Sequence, residues 1–428
     1  MRFHFKFFAC TLIVAACLWF AYWESNLSNK LSPKGPKQVI YKDRALFASD
    51  DDNADALNVH QNQFNSSLLN TRNESQSGLH VMILARMRTG STLIGEIFNQ
   101  NQDLFYLFEP LHTIDCYVRR GFMEEEERIF RSKYLLKNLN QCHFTESYLE
   151  CIMAWGLGVY KSKVLYDMCA PRGKHCSGIT VNEIAQECKT YNNRFAMKFI
   201  RADLEIIKPL VTEKGMNVKV IHLIRDPRGT ANSRKKYYND MLNSRRPQRL
   251  DRTVDRSMKA LGLLDREPHV PYKVNTIESL CQWMRDTVGI ATDRPEWLKG
   301  RYKMVRYEDM ASDPLRIARD IYSFVGLDLP DNIVQWVKEN TDVDNSDPSE
   351  KLLAARGGGV FSTHKNSTKT ASSWRKYLGL DEVKEVQRIC GDMMSLLGYP
   401  VIEQEKDLKN EDFHVTKPLK IGADITIT

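Results

Sequence analysis

The sequence lacks both of the glycine-rich motifs that most often mark a nucleotide site. Neither the ATP-binding pattern G-x-x-x-x-G-K-[ST] nor the dinucleotide pattern G-x-G-x-x-G occurs in its 428 residues. These absences weaken the case for an NTPase and for a dinucleotide-dependent enzyme.

A strong excess of one charge is also absent. The 61 lysines and arginines outnumber the 54 acidic residues by only +7, which is too little for a general nucleic-acid binder. A polyanionic carbohydrate remains a compatible partner, because the arginines cluster locally.

The ten cysteines include no CxxC pair, so the sequence gives no sign of a zinc cluster. Most of them follow residue 23, and an even number of cysteines in an oxidising compartment predicts disulfides without fixing their pairing. These cysteines are Cys116, Cys142, Cys151, Cys169, Cys176, Cys188, Cys281 and Cys390.

An apolar run without charged residues spans residues 7–23. It lies at the short end of the roughly 17–25 residues that cross a bilayer, and its aromatic end, with Trp19 and Trp23, suits a membrane interface. We expect a transmembrane signal anchor at 7–23 after a cytoplasmic tail at 1–6. A cleaved signal peptide is the alternative, although the apolar run continues past the cleavage-like box at Val14–Cys17.

Residues 24–78 are rich in Asn, Ser, Asp, Gln and Lys and poor in aromatic residues, so no core can form there. We interpret this segment as a lumenal stem. Glycan acceptor sequences begin at Asn65 and Asn73 within it, and a further one begins at Asn366.

The segment His80–Thr92, HVMILARMRTGST, has the pattern of a strand, a tight loop and the start of a helix. Such a loop directs backbone N–H groups and the positive end of a helix dipole into one small cavity, which suits an anion. The candidate ligands of a phosphate-like group are Arg86, Arg88, Thr89, Gly90, Ser91 and Thr92. A structural strand-to-helix turn is the open alternative.

Strands and helices alternate through residues 79–404, which we assign to one globular domain ahead of a C-terminal tail at 405–428. Further strands are predicted at 104–108, 195–200, 218–224 and 302–306. This alternation predicts an α/β fold with a central parallel sheet, whose ligands lie beyond the carboxyl ends of the strands. Most of the cysteines fall within residues 112–193, which predict an inserted, helical subregion tied by disulfides.

A second arginine, Arg225, follows the strongest predicted strand, and Ser233 lies about two helical turns further on. Together they could hold a second phosphate. The alternative is that Arg225 pairs with Asp226 and that Ser233 lies on the helix surface. If both loops lie on one sheet edge, the ligand should carry two separated anionic groups.

These two segments resemble the sulfotransferases that use 3′-phosphoadenosine 5′-phosphosulfate. RTGST, from Arg88 to Thr92, looks like their 5′-phosphosulfate loop, and IRDPRGTANSR, with Arg225 and Ser233, looks like their 3′-phosphate site. The resemblance narrows to the membrane-bound Golgi carbohydrate 6-O-sulfotransferases, because the same order and spacing continue through FNQNQDLFYLFEPLH, WLKGRYKMVRYEDM, HKNSTKTASSWRKYL and CGDMMSLLGY. It covers most of Val81–Val401, and the Cys-rich insertion matches least.

The resemblance implies a P-loop-like three-layer sandwich and transfer of a sulfuryl group, without a metal, to the 6-hydroxyl of a sugar in a keratan- or chondroitin-type glycan. It also implies a single-pass type II protein of the Golgi membrane with a lumenal catalytic domain and a glycan acceptor. A nucleic-acid partner is not expected, and a homo-oligomer is compatible. The segments WLKGRY and VRYED are most similar to the keratan sulfate galactose 6-sulfotransferase, which favours galactose.

By resemblance alone, Asn366 and Ser367 are assigned to the nucleotide. Two residues depart from the family pattern. Thr89 stands where Ser is usual, and Lys365 stands where Arg is common. Both changes retain hydrogen-bond donors, so they bear on affinity rather than on activity.

Sulfuryl transfer requires in-line positioning and charge stabilisation more than covalent help. Arg88 and the loop amides would neutralise charge on the leaving 5′-phosphate, while the loop hydroxyls would hold its oxygens. Glu109, at the end of the second predicted strand, is our candidate for the base that takes the hydroxyl proton, and His112 is the reserve. An ion pair of Glu109 with Arg86 or Arg88 is the structural alternative.

Two other functions stay open at this point. A Golgi glycosyltransferase would share the anchor, stem and cysteines and would use a metal-binding D-x-D, which Asp342–Asp344 offers. A non-catalytic glycan-binding ectodomain would leave Arg88 and Ser233 without a role.

Overall fold

A parallel β-sheet forms the centre of the chain in its computed structural model, which describes residues 78–114, 125–173, 176–243, 276–342, 366–410 and 412–420. The strands are β1 (Leu79–Leu84), β2 (Phe105–Phe108), β3 (Phe195–Phe199), β4 (Asn217–Ile224) and β5 (Tyr302–Arg306). Their order is β2-β3-β1-β4-β5, and every neighbouring pair is parallel. The predicted α/β class and parallel sheet are therefore confirmed.

Helices cover both faces of this sheet. They are α1 (Ser91–Asn99), α2 (Glu125–Asn140), α3 (Glu146–Trp155), α4 (Leu157–Tyr160), α5 (Lys163–Cys169), α6 (Val181–Thr190), α7 (Leu204–Thr212), α8 (Pro227–Asn243), α9 (Ile277–Thr292), α10 (Tyr307–Ser312), α11 (Pro314–Val325), α12 (Asp331–Thr341), α13 (Ser367–Ser372), α14 (Trp374–Tyr377), α15 (Leu380–Leu396) and α16 (Glu405–Lys409).

Two hydrophobic cores lie between the sheet and its helices, one on each face of the sheet. Successive residues of a strand point to opposite faces, so Met82 and Leu84 of β1 enter one core while Val81 and Ile83 enter the other. The first core includes residues of α2, α7, α9 and α15, and the second includes residues of α1, α10, α11 and α12. The result is a three-layer sandwich.

The segment between β2 and β3 is helical and contains α2 to α6. Disulfides Cys142–Cys188 and Cys169–Cys176 lie within it, while Cys281–Cys390 joins α9 to α15. The segment packs against the edge strand β2, where Ser162 Oγ donates a hydrogen bond to Tyr106 O at 2.7 Å. The insertion therefore packs along the β2 edge of the sheet.

The strand order places β1 and β4 side by side at the centre of the sheet. The connection after β1 leads toward β2 on one side, and the connection after β4 leads toward β5 on the other. Where neighbouring connections part in this way, a crevice opens at the carboxyl ends of the strands. The two arginine-bearing loops both begin at this crevice.

The predicted tail (1–6), anchor (7–23) and stem (24–78) lie outside the described residues, apart from Gly78 at the end of the stem. Cys116, Lys365 and the sequons at Asn65 and Asn73 also lie outside them. The chain separates into two units, Met1–Leu57 and Asn58–Thr428, and every described residue belongs to the second. Within that described part, no helix combines the length and apolar character that crossing a bilayer requires.

Residues after Gln404, which we expected to form a tail, include the short helix α16. Its Leu408 is buried in a small core with Trp374. Arg375 donates hydrogen bonds to the backbone oxygens of Asp407, Leu408 and Asn410. The first part of this segment therefore packs on the domain.

Candidate active site

The loop between β1 and α1 turns sharply at Arg88 and Gly90, whose φ angles are 70° and 97°. A positive φ favours glycine, and a Cβ atom at Gly90 would also lie 2.3 Å from a ring carbon of Tyr307. Helix α1 begins at the next residue, Ser91, without a side-chain cap from Gly90. The positive end of the α1 dipole therefore faces this loop.

The side chain of Arg88 extends toward α8. Its Nε donates a hydrogen bond to Ser233 Oγ at 3.0 Å, and its guanidinium lies 5.7 Å from the centre of the Tyr237 ring. Burial and the neighbouring Arg225 lower the pKa of Arg88, yet an arginine keeps its charge. The structure thus brings together residues from the two segments predicted to bind separate phosphates.

Arg225 follows β4, and its side chain reaches across to the β1 loop. Nη1 donates to the backbone oxygen of Arg88 at 2.9 Å, and Nη2 donates to the backbone oxygen of Thr370 at 3.3 Å. Its buried Nε meets no acceptor among the residues that the structure describes. The carboxylate of Asp226 pairs with Arg228 at 2.7 Å.

Tyr307 contacts both loops, although it is not among the predicted site residues. Its ring lies against Gly90 on the β1 loop, while the guanidinium of Arg225 stacks over it at 4.3 Å. Tyr307 is the first residue of α10, directly after β5. An aromatic residue at the carboxyl end of a strand was the only sequence signal for this position.

Two predicted anion ligands shape the loop itself. Arg86 Nη1 donates to the backbone oxygen of Ala202 at 3.1 Å, and its guanidinium lies 4.7 Å from the centre of a Trp283 ring. Thr89 Oγ1 donates to the backbone oxygen of Arg86 at 2.7 Å. Ser91 and Thr92 occupy the first turn of α1, with Ser91 buried and Thr92 partly exposed. Contact of these side chains with the co-substrate stays a prediction.

Asn366 and Ser367 stand at the start of α13. The side chain of Asn366 caps this helix by accepting a hydrogen bond from Lys369 N at 2.9 Å, and Ser367 is buried. The same helix carries Thr370, whose backbone oxygen binds Arg225. Both predicted nucleotide residues therefore belong to an element that contacts the Arg225 side of the crevice.

Glu109 lies at the carboxyl end of β2 with a φ angle of 48°, an uncommon backbone conformation for a residue with a side chain. One carboxylate oxygen accepts from Lys198 Nζ at 2.5 Å, and the other accepts from Arg201 Nη1 at 2.8 Å. The expected alternative partners, Arg86 and Arg88, contact other groups. Backbone strain combined with a buried ion pair is typical of a functional position.

The ion pair sets the charge state of Glu109. Burial alone would raise its pKa, but the positive charges of Lys198 and Arg201 outweigh that effect and lower the pKa to about 2. Glu109 is therefore a carboxylate at neutral pH, and a weak base. β2 lies two strands from β1, which corresponds to roughly 10 Å at the usual strand spacing.

His112 follows Glu109 by one turn, and its backbone N–H donates to Glu109 O at 3.0 Å. Its ring stacks on Trp155 of the insertion, with ring centres 3.8 Å apart. Trp155 also packs against Phe108, at 5.9 Å between ring centres. The insertion thus reaches the sheet edge beside Glu109.

Metal coordination was the signature of the competing glycosyltransferase hypothesis. Across the described ranges, no group of three or more His, Cys, Asp and Glu side chains is arranged to hold a metal ion. The D-x-D triplet begins at Asp342, and its remaining residues lie outside those ranges.

Comparisons with known proteins agree with the class that this site defines. A family model described as the sulfotransferase domain matches residues 79–398. Carbohydrate sulfotransferase 1 of Danio rerio is 30% identical over 358 residues, which cover 77% of this chain and 80% of that protein. Carbohydrate sulfotransferase 3 of Homo sapiens is 30% identical over 355 residues, which cover 77% of this chain and 69% of that protein.

Among solved structures, the sulfotransferase domain from the curacin biosynthetic pathway matches with a TM-score of 0.37 and 15% identity, over 77% of this chain and 100% of that domain. Retinol dehydratase in a complex with retinol and PAP matches with a TM-score of 0.34 and 16% identity, over 74% of this chain and 81% of that chain.

The chain is a sulfotransferase, and it belongs to the carbohydrate sulfotransferase family. It transfers a sulfuryl group from 3′-phosphoadenosine 5′-phosphosulfate to a sugar hydroxyl, as the resemblance implied. The glycosyltransferase and glycan-binding alternatives are not favoured.

Proposed function

We propose that the acceptor is the 6-hydroxyl of a sugar in a keratan- or chondroitin-type glycan, with galactose as the favoured sugar. The enzyme acts as a single-pass type II protein of the Golgi membrane, with its catalytic domain in the lumen. The glycan class and the compartment rest on the sequence resemblance. The site itself rests on one structural observation, the hydrogen bond between Arg88 and Ser233 beside Arg225.

The donor spans the crevice between β1 and β4. Its 5′-phosphosulfate binds at Arg88 and the first turn of α1, where backbone N–H groups and the hydroxyls of Ser91 and Thr92 surround the anion. Its 3′-phosphate binds at Arg225 and Ser233, and the nucleoside extends toward Asn366 and Ser367. Arg88 lies between the two groups, because its side chain contacts Ser233 while its backbone oxygen holds Arg225.

The reaction is an in-line displacement at sulfur. The sugar oxygen forms a bond to sulfur as the bond between sulfur and the 5′-phosphate oxygen breaks, and the charge gained by the leaving phosphate is stabilised by Arg88. The hydroxyl proton passes to Glu109. A weak carboxylate base suffices, because the proton becomes strongly acidic once its oxygen is bonded to sulfur.

The acceptor approaches from the β2 side of the crevice. Glu109 lies there, and Trp155 brings the insertion to the same edge through its contact with His112. An indole suits a sugar, whose apolar C–H face packs on aromatic rings. We place the residues that distinguish one sugar from another in this insertion.

The test measures transfer of radiolabelled sulfate by the full-length chain to oligosaccharides ending in galactose, N-acetylglucosamine or N-acetylgalactosamine, each paired with its 6-deoxy analogue. We expect label on the galactose acceptor and none on its 6-deoxy analogue. Arg88→Ala should abolish transfer, while Arg388→Ala, which alters an exposed ion pair, should not. Equal labelling of the 6-deoxy acceptor would refute the proposed position.

A further inference from the structure

The turn after β4, Arg225–Arg228, is held from two sides by buried polar side chains. Asp226 and Arg228 are fully buried within it, although both are charged. Buried charges require partners of well-defined geometry, so the contacts of this turn fix its orientation closely. Arg225 is the first residue of the turn, and any rotation of the turn moves its guanidinium.

The first support acts on the backbone. Asp226 N donates to Glu308 Oε1 at 3.1 Å, and the other oxygen of Glu308 accepts from Tyr399 Oη at 2.9 Å. Glu308 and Tyr399 are both buried. The hydroxyl of Tyr399 thus orients the carboxylate that holds the amide next to Arg225.

The second support acts on the side chains. The Asp226 carboxylate binds the guanidinium of Arg228, whose Nη1 donates to Pro400 O at 2.8 Å and to Gln387 Oε1 at 3.0 Å. The Gln387 amide also exchanges two hydrogen bonds with the backbone of Ile402. Both supports therefore end in one short segment, Tyr399–Ile402.

This segment begins immediately after residue 398, where the match to the sulfotransferase domain model ends. None of its contacts described above involves Arg225, Ser233 or the loop after β1. Its influence on the donor would pass through the turn alone, which makes its residues positioning residues rather than catalytic ones.

We propose that the segment Tyr399–Ile402 positions Arg225 for the 3′-phosphate. It thereby makes the site selective for nucleotides that carry a 3′-phosphate. This inference rests on the proposed role of Arg225. The ligand class concerned is the adenosine nucleotides, distinguished by the presence or absence of a 3′-phosphate.

The experiment compares the full-length wild type with Tyr399→Phe, which removes only the hydroxyl. Calorimetric titration gives the Kd of adenosine 3′,5′-bisphosphate and of adenosine 5′-monophosphate, and thermal unfolding gives the Tm. We expect the bisphosphate to bind about tenfold more weakly, while affinity for the monophosphate is unchanged. Tyr377→Phe is the control, because Tyr377 is 70% exposed on α14.

A merely structural role of Tyr399 would weaken both nucleotides in parallel with a fall in Tm, and that result would overturn the proposal. Unchanged affinity for the bisphosphate would overturn it as well. If the wild type itself failed to prefer the bisphosphate, the assigned role of Arg225 would be wrong. Gln387→Leu tests the second support independently, and the same selective loss is expected.

Discussion

The Nε of Arg88 donates a hydrogen bond to Ser233 Oγ across 3.0 Å, although 145 positions separate the two residues in the chain. The contact forms because β1 and β4 are adjacent parallel strands, so the loop after one meets the helix after the other. One hydroxyl thus links the two sides of the crevice that we propose to bind the phosphosulfate and the 3′-phosphate. The two half-sites should therefore bind the donor as a unit.

A double-mutant cycle tests this coupling. Arg88→Ala and Ser233→Ala should each weaken binding of adenosine 3′,5′-bisphosphate by about tenfold or more, because each removes a donor or its orienting partner. The double variant should lose less than the product of the single losses, since the residues share one interaction. Calorimetric titration provides the constants. If the increase in Kd of the double variant equalled the product of the two single increases, the contact would not contribute to binding.

Substitution of Gly90 should damage both stability and donor binding. Gly90→Ala places a Cβ atom 2.3 Å from a ring carbon of Tyr307 at a φ of 97°, and displacing that ring also displaces Arg225. Gly215→Ala is a matched control, because Gly215 has a φ of 84° and no atom lies near its added Cβ.

Urea unfolding should show a loss of about 1 kcal/mol for the Gly215 variant, which reports backbone strain alone. The Gly90 variant should lose a further 1–3 kcal/mol or so through the steric conflict. Only the Gly90 variant should lose affinity for the donor. If the two substitutions had equal effects on stability and on donor affinity, Tyr307 would not be part of the site.

Much of the sheet could be predicted from the sequence, because buried parallel strands are mostly apolar and their runs are bounded by polar segments. Tyr302–Arg306 matches its strand from end to end, and the run 218–224 differs from Asn217–Ile224 by one residue. The insertion was harder to interpret, since its helices show no clean period. Its disulfide pairing follows from three-dimensional packing, which cysteine spacing does not encode.

The site shows a similar division. Sequence spacing placed Arg88 and Arg225 at the carboxyl ends of two strands, and the structure shows that these strands are neighbours. The contacts of Arg86 within the fold were not predicted, because they depend on packing that spacing does not encode. Tyr307 was not predicted as a site residue, since its contact with Gly90 arises from packing across neighbouring elements. The partners of Glu109 were also missed, because Lys198 and Arg201 lie on another strand and beyond it.

The disulfide Cys281–Cys390 should contribute more to stability than Cys169–Cys176. The first closes a separation of 109 residues and joins α9 to α15, whereas the second closes only 7. Chain-entropy estimates give roughly 4.7 kcal/mol for a loop of about a hundred residues and less for a short one. Replacing each pair by serine and measuring urea unfolding should reproduce this order, and the reverse order would contradict it.

The charge state of Glu109 gives the last prediction. Its folded pKa of about 2 lies below the ordinary value of 4.5, so its ion pair stabilises the fold above that ordinary value and the contribution is lost as pH falls toward 2. If ionised Glu109 accepts the proton, wild-type activity should show no titration of this group above pH 4.5. Glu109→Gln should remove most activity at every pH.

Lys198→Met removes one of the two charges that hold this pKa down, so the pKa of Glu109 should rise and an acid limb should appear in the profile of activity against pH. Breaking the buried pair should also cost on the order of 3 kcal/mol of stability, measured by urea unfolding. Lys133→Met, at an exposed pair with Glu205 of 2.9 Å, should change neither quantity appreciably. A Lys198→Met enzyme that remains folded and keeps the flat wild-type profile would show that Glu109 does not take the proton.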